Sequence, residues 1–153
     1  MKPITFSCQA TLDLAPAEIA GQILDLTKWP DFHGYGPIPG IRVAEFDVQT
    51  TGVVGTRIRV TNLDGSAHIE EITDWQPEHR LRLEMKEFSP PLSRWATTFV
   101  EIWEFERVEG GTKVTRTFQL YAKSKWARTL LWAISFFLKR AAVRHLHEMK
   151  GKL

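Results

Sequence analysis

Cysteine is nearly absent from this chain. Cys8 stands alone among 153 residues, which excludes an intrachain disulfide and a cysteine metal cluster and gives no sign of an oxidising compartment. A long unbroken apolar run is also missing. The richest stretch, residues 126–138, already contains Arg128 and is followed by Lys139 and Arg140, so it is short of the ~20 residues that a bilayer span requires. The first residues, MKPITFSCQATL, carry one lysine and alternate rather than run apolar, unlike a secretory leader. A cytoplasmic protein is the expectation. No nucleophile elbow, phosphate loop or metal signature occurs, and no cofactor is expected. His145 and His147 are two apart, about 200° around a helix, and cannot share one ion in the i, i+4 manner. A nucleic-acid partner is not expected either, because no known motif is present and the net charge is only +2.

Glycine and proline are missing from residues 124–150, and that absence leads to what the chain does contain. Ala127, Leu130, Leu131, Ile134, Phe137, Leu138, Ala141 and Ala142 recur there at helical spacing. The spacing predicts one helix of roughly 40 Å at ~1.5 Å per residue. Such a helix needs a wide partner for its apolar arc. Trp132, Phe136 and Val143 fall on the opposite side, beside Lys139 and Arg140. Either another segment covers them, or they form a stripe for a dimer partner or a membrane surface. Charge is uneven as well: residues 123–153 hold eight Lys or Arg against Glu148, which is +7 of a total of +2 and leaves −5 for the rest. Lys123, Lys125 and Arg128 form either a solvated basic helix start or an anion contact.

The length suits a single domain over residues 1–153, and the composition is that of a soluble globular protein. Ile4, Phe6, Cys8, Ala10 and Leu12 alternate with polar residues, as in a half-buried strand. A helix is expected from Pro16 to near Trp29, where Pro30 disfavours helical geometry in the preceding residue. HGYGPIPG, with three Gly and two Pro in eight residues, reads as a loop. Phe32, just before it, and Tyr35 within it either line an entrance or plug a core. Residues 41–122 read as strands and turns.

Hairpin turns set register. A two-residue loop at Gly110 and Gly111 places Trp103 opposite Phe118, Phe105 opposite Arg116, and Glu101 opposite Leu120. A loop at Pro77 and Glu78 sets Ile72 against Leu83, Glu70 against Met85, and His68 against Glu87, with Trp75 near Arg80 and Thr73 near Arg82 on the other face. A three-residue loop over Leu63, Asp64 and Gly65 puts Val60 opposite His68 and Ile58 opposite Glu70. Together these turns define one inner face: Ile58, Val60, Ile72, Leu81, Leu83, Met85, Trp95, Phe99, Trp103, Phe105, Phe118 and Leu120. His68, Glu70, Glu101 and Arg116 share it. A dry core excludes unpaired charge. Either the phase is wrong by one residue, or these groups lie near open sheet ends, or the interior is a cavity with apolar walls and a few polar fixtures, as in a small-molecule site.

The order strand, short helix with a Trp-Pro stop, long antiparallel sheet and long closing helix resembles the helix-grip fold of the birch-pollen-allergen and START-type superfamily, SRPBCC, and within it the bacterial polyketide cyclase/dehydrase-like group. The resemblance rests on PAEIAGQILDLTKWPDF, EEITDWQPEHRLRLEM, EGGTKVTRTF and RTLLWAISFFLKRAAVRHLHEMKGK, and it covers nearly the whole chain. It implies an α+β domain in which a curved seven-stranded antiparallel sheet grips the C-terminal helix around a hydrophobic cavity. Relatives bind lipids, sterols, quinones, plant hormones or polyketides, and some cyclise and dehydrate polyketides. Ring-hydroxylase relatives hold iron with two His and a carboxylate, a set with no counterpart in this sequence.

Three readings follow. The first is a binder of a hydrophobic or amphiphilic molecule, with Phe32, Tyr35, Ile58, Val60, His68, Glu70, Leu83, Met85, Trp95, Phe99, Glu101, Trp103, Arg116, Phe118, Leu131, Ile134 and Leu138 as candidate wall residues. The second is a cyclase/dehydrase-type enzyme with His68 or Glu70 as base and Arg116 stabilising an enolate oxygen. The third is a module that docks a membrane or a second copy through Trp132, Phe136 and Val143.

Overall fold

The computed structural model describes residues 1–151; Lys152 and Leu153, the end of the expected domain, lie outside the described residues. The chain begins with β1 (Ile4–Leu12) and α1 (Pro16–Leu24), then a 3₁₀ turn (Leu26–Asp31). The meander β2 (Ile41–Val48), β3 (Arg57–Asn62), β4 (Ala67–Gln76), β5 (Arg80–Lys86), β6 (Ala96–Val108) and β7 (Gly111–Ala122) follows, and α2 (Lys125–Gly151) closes it. A second 3₁₀ turn, Leu92–Arg94, precedes β6. All pairs in the seven-stranded sheet are antiparallel, in the order β1-β7-β6-β5-β4-β3-β2. This is the helix-grip α+β architecture, with the curved sheet wrapped about α2.

The expected first helix is interrupted. It ends at Leu24, because the Asp25 carboxylate accepts from the Thr27 amide at 3.2 Å and the Thr27 hydroxyl at 2.6 Å. Such local acceptors compete with the helical ladder. The chain re-enters as a 3₁₀ turn that contains Pro30, and the Trp29 indole donates to the Ile23 carbonyl at 2.9 Å.

The β3–β4 turn has the expected register, with Val60 opposite His68 and Ile58 opposite Glu70. The β4–β5 pairing also places Ile72 against Leu83 and Glu70 against Met85. Beyond an irregularity between Ile72 and Asp74 the partners shift by one, so Trp75 lies opposite Leu81 rather than near Arg80. Thr73 and Arg82 do meet, at 2.8 Å between hydroxyl and guanidinium. The expected His68–Glu87 pair is not formed; the ladder stops at Lys86, and Glu87 turns into the left-handed region at φ 54°.

The β6–β7 register differs from the expectation. Val108 pairs with Gly111, so the turn is Glu109–Gly110, and Trp103 faces Arg116, Glu101 faces Phe118 and Phe105 faces Val114. Gly111 belongs to the strand for a steric reason: at φ 139°, a Cβ there would lie 2.0 Å from the Leu12 carbonyl oxygen. Partners move by two residues, one full pleat repeat, and every side chain keeps its face.

Ser124 caps α2, its hydroxyl accepting from the Ala127 amide at 3.0 Å. The helix of 27 residues is about 40 Å long at ~1.5 Å per residue. It packs on β1 and β7 through Ala127, Leu131, Leu138, Ala142 and Leu146. Leu130, expected in the buried arc, is exposed, because it lies about 90° round the helix from Leu131 and Leu138. Trp132 and Phe136 are exposed, whereas Val143 is half-buried against the core. Among the described residues no helix is long and apolar enough to cross a membrane.

Candidate functional site

Between the inner face of the sheet, the second half of α2 and the segments at 28–41 and 85–95 lies a cavity of about 580 Å³. The sheet supplies His68 and Glu70 from β4, Leu83 and Met85 from β5, Phe99, Glu101 and Trp103 from β6, and Arg116 and Phe118 from β7. Their common orientation follows from the two-residue pleat: each pair within a strand is separated by an even number. Trp95, Phe32, Ile134 and Leu138 complete the part of the wall that sequence patterning singled out. Exposed Lys28, Pro37, Asp64, Pro90 and Pro91 form the rim at the open end.

Four expected wall residues lie elsewhere. Ile58, Val60 and Leu131 are fully buried in the packed core. Tyr35 turns outward from its loop and lies beside Phe137, with ring centroids 6.5 Å apart. Other wall residues were not anticipated: Trp29, Ile38, Phe88, Leu92, His145 and Met149. His145 and Met149 carried a usable signal, since they continue the Leu138 face of α2 at i+7 and i+11. Phe88 did not, because it follows the left-handed residue Glu87, where strand periodicity ends.

Two polar clusters face the space. In the first, His68 Nε2 and Glu70 Oε2 are 2.9 Å apart and largely buried, with the imidazole beside Phe88. The second is deeper. Arg116 donates from Nε to Glu101 Oε2 at 2.9 Å, and Nη2 contacts the same oxygen. Both side chains are about 95% buried. The guanidinium carbon lies 4.3 Å from the centroid of Trp103, a stacked cation–π contact. Arg116 Nη1 is 3.0 Å from His145 Nδ1. Arginine has no acceptor, so this contact is a hydrogen bond only when Nδ1 bears the lone pair.

Electrostatics separate the groups. Burial pushes the Glu101 carboxyl up, the Arg116 guanidinium opposes that shift, and the negative charge of Glu70 adds to it. The two clusters are thus close enough to influence one another. Cys8, opposite Arg116 on β1, has its thiol pushed up chiefly by burial. Among the described residues no three His, Cys, Asp or Glu side chains converge as a metal site. His147 is exposed, whereas His145 faces the cavity. The arrangement offers an apolar enclosure, a carboxylate–imidazole pair, and a held guanidinium with N–H groups left for an acceptor.

Comparison with known proteins settles the family. A profile described as polyketide cyclase / dehydrase and lipid transport matches residues 3–153. The chain belongs to this family. As the sequence resemblance implied, the polyketide cyclase/dehydrase and lipid transport family is a helix-grip, SRPBCC-type group, and solved structures show the same fold. The crystal structure of Ara h 8.0201 superposes with a TM-score of 0.66 at 18% identity, covering 95% of this chain and 99% of that one. TTHA0849 from Thermus thermophilus gives 0.71 at 14% identity, covering 97% and 95%. The major latex-like protein 151 of Panax ginseng gives 0.65 at 14% identity, covering 96% and 98%. No curated protein matches the sequence. Family and fold suggest a ligand-binding domain.

Proposed function

We propose that the protein binds a hydrophobic or amphiphilic small molecule, of lipid, quinone or polyketide type, in the cavity between the sheet and α2. The observation that carries this reading is the cavity itself: about 580 Å³, within the roughly 300–1,000 Å³ typical of ligand pockets, apolar-walled with a few polar fixtures. The apolar body of the ligand lies against Met85, Phe88, Phe99 and Leu138, and an acceptor at its polar end meets Arg116. The polar groups already satisfy each other, which suits a binder, since an empty cavity then strands no charge.

A specific observation supports a second reading, cyclisation or dehydration of a polyketide-like substrate. The His68–Glu70 contact of 2.9 Å is a base held by an orienting partner, and Arg116 is a donor for an enolate oxygen across the same space. Native mass spectrometry of freshly purified protein, with extraction and identification of what co-purifies, tests the binding reading. A near-stoichiometric apolar or amphiphilic molecule is expected. An empty protein that also fails to bind fatty acids, sterols, quinones and aromatic polyketides refutes it. Glu70→Gln then separates the two readings, because a binder retains affinity for apolar ligands whereas an enzyme loses turnover.

A further inference from the structure

The first three turns of α2 carry an outward face that no part of the fold covers. Trp126 is 84% exposed, Trp132 67%, Phe136 58% and Leu130 40%. Thr129 and Ala133 are exposed between them. By helical geometry these six positions span a sector of about 160°. No charged side chain enters that sector over residues 126–136: Arg128, the only one in the segment, is half-buried on the flank, its Nε 3.3 Å from the Lys2 carbonyl. Contiguous aromatic surface of this kind marks a contact site.

The charges around the face indicate what it meets. Lys123 and Lys125 precede it and Lys139, Arg140 and Arg144 follow it, all exposed. No acidic residue occurs in the sequence between Glu109 and Glu148. At its C-terminal edge the face runs into a groove lined by Tyr35, Phe136, Lys139, Arg140, Val143 and Arg144. The Arg140 guanidinium lies 4.6 Å from the Phe136 ring centroid and 5.8 Å from that of Tyr35. A second copy docked face to face about a two-fold axis would set these cations against themselves. A negatively charged bilayer surface complements both features, taking aromatic side chains at the acyl boundary and lysine and arginine at the headgroups.

We propose that this face of α2 docks on an anionic lipid bilayer. Trp126, Leu130, Trp132 and Phe136 enter the interface, and the groove at Lys139 and Arg140 holds a lipid phosphate, Arg144 being paired with Glu148 at 3.1 Å. The loop at 33–40 connects the surface to the cavity. Pro37, Ile38 and Pro39 line the cavity, while Tyr35 lies beside Phe137 and shares the groove at the docking face with Phe136. Docking places the 33–40 loop, which supplies Pro37 to the rim, near the headgroups, yet it does not depend on a bound ligand.

The test is sedimentation with phosphatidylcholine vesicles, with and without about a quarter phosphatidylglycerol, at low and high salt. Anionic vesicles are expected to bind at least about ten-fold more tightly, with loss at high salt. Trp132→Ser/Phe136→Ser and, separately, Lys139→Glu/Arg140→Glu each weaken that binding about ten-fold or more. These positions are on the surface, so circular dichroism and the urea midpoint stay unchanged. Brominated lipid quenches tryptophan fluorescence in the native protein and not in Trp126→Phe/Trp132→Phe. The proposal is overturned by equal binding to neutral and anionic vesicles, by full binding of the Trp132→Ser/Phe136→Ser variant, or by a vesicle-independent dimer that this variant abolishes. None of these outcomes bears on whether a molecule co-purifies in the cavity.

Discussion

Replacing Arg116 with methionine removes the partner of a carboxylate that is about 95% buried. Arg116 and Glu101 are both about 95% buried and hydrogen-bonded to one another. Deleting one member of a buried pair costs about 3–5 kcal/mol, because the other charge is stranded. The fold has one relief, protonation of Glu101. Holding neutral at pH 7 a carboxyl whose unfolded pKa is about 4.3 costs about 3.7 kcal/mol, at ~1.36 kcal/mol per pH unit. The native carboxyl is itself raised by burial, so this figure bounds the loss from above; a loss of about 3 kcal/mol at pH 7 lowers the urea midpoint by about 1.5 M for a slope of ~2 kcal/mol/M.

Burial raises the folded Glu101 carboxyl above its unfolded value, and removing the guanidinium raises it further. Between the two values the folded state holds a proton that the unfolded state has lost, so stability falls as pH rises. The deficit of Arg116→Met should therefore shrink as pH falls from 7 to 5. Glu101→Leu/Arg116→Met has no charge to strand and should return to within about 1–2 kcal/mol of the native protein, without the added pH slope. Urea unfolding of the three proteins at pH 5, 6 and 7 measures all of this. A single-variant loss below about 1 kcal/mol at pH 7, or one independent of pH, would refute the stranded-charge argument.

Three other outcomes follow from the geometry. Gly111→Ala, whose Cβ would meet the Leu12 carbonyl at 2.0 Å, should cost about 3 kcal/mol or more. Gly110→Ala, with φ 89° and open space around it, should cost about 1–2 kcal/mol; equal midpoints would remove the close-approach account. Leu138→Trp should occupy cavity space and reduce binding of a fluorescent fatty-acid probe at least ten-fold by titration, with stability held within about 1–2 kcal/mol. Cys8, buried and with its thiol pushed up, should react with a thiol reagent at pH 8 only as the protein opens, so that labelling tracks urea unfolding. Labelling of the native protein at the rate of a free thiol would contradict its placement.

What could be read from the chain, and what could not, divides along a physical line. Strand side chains repeat every two residues, so alternation and the hairpin turns together placed His68, Glu70, Glu101 and Arg116 on the inner side. The β6–β7 turn was mislocated, but the slip of two kept Glu101, Trp103 and Arg116 on the same face. Helical periodicity likewise identified the outward position of Trp132 and Phe136, and the missing Gly and Pro the unbroken length of α2. These are properties of local geometry. The pairing of Arg116 with Glu101 rather than solvent, the approach of His145, and the turning of Tyr35 away from the interior depend on segments far apart in sequence. So does the difference between Leu83, which borders open space, and Ile58, Val60 and Leu131, which do not: all four are apolar, inward and buried. Residue pattern by itself determined which side chains face inward. Only the tertiary structure, through the distance at which the curved sheet holds its helix, decided where that interior is filled and where it is left open.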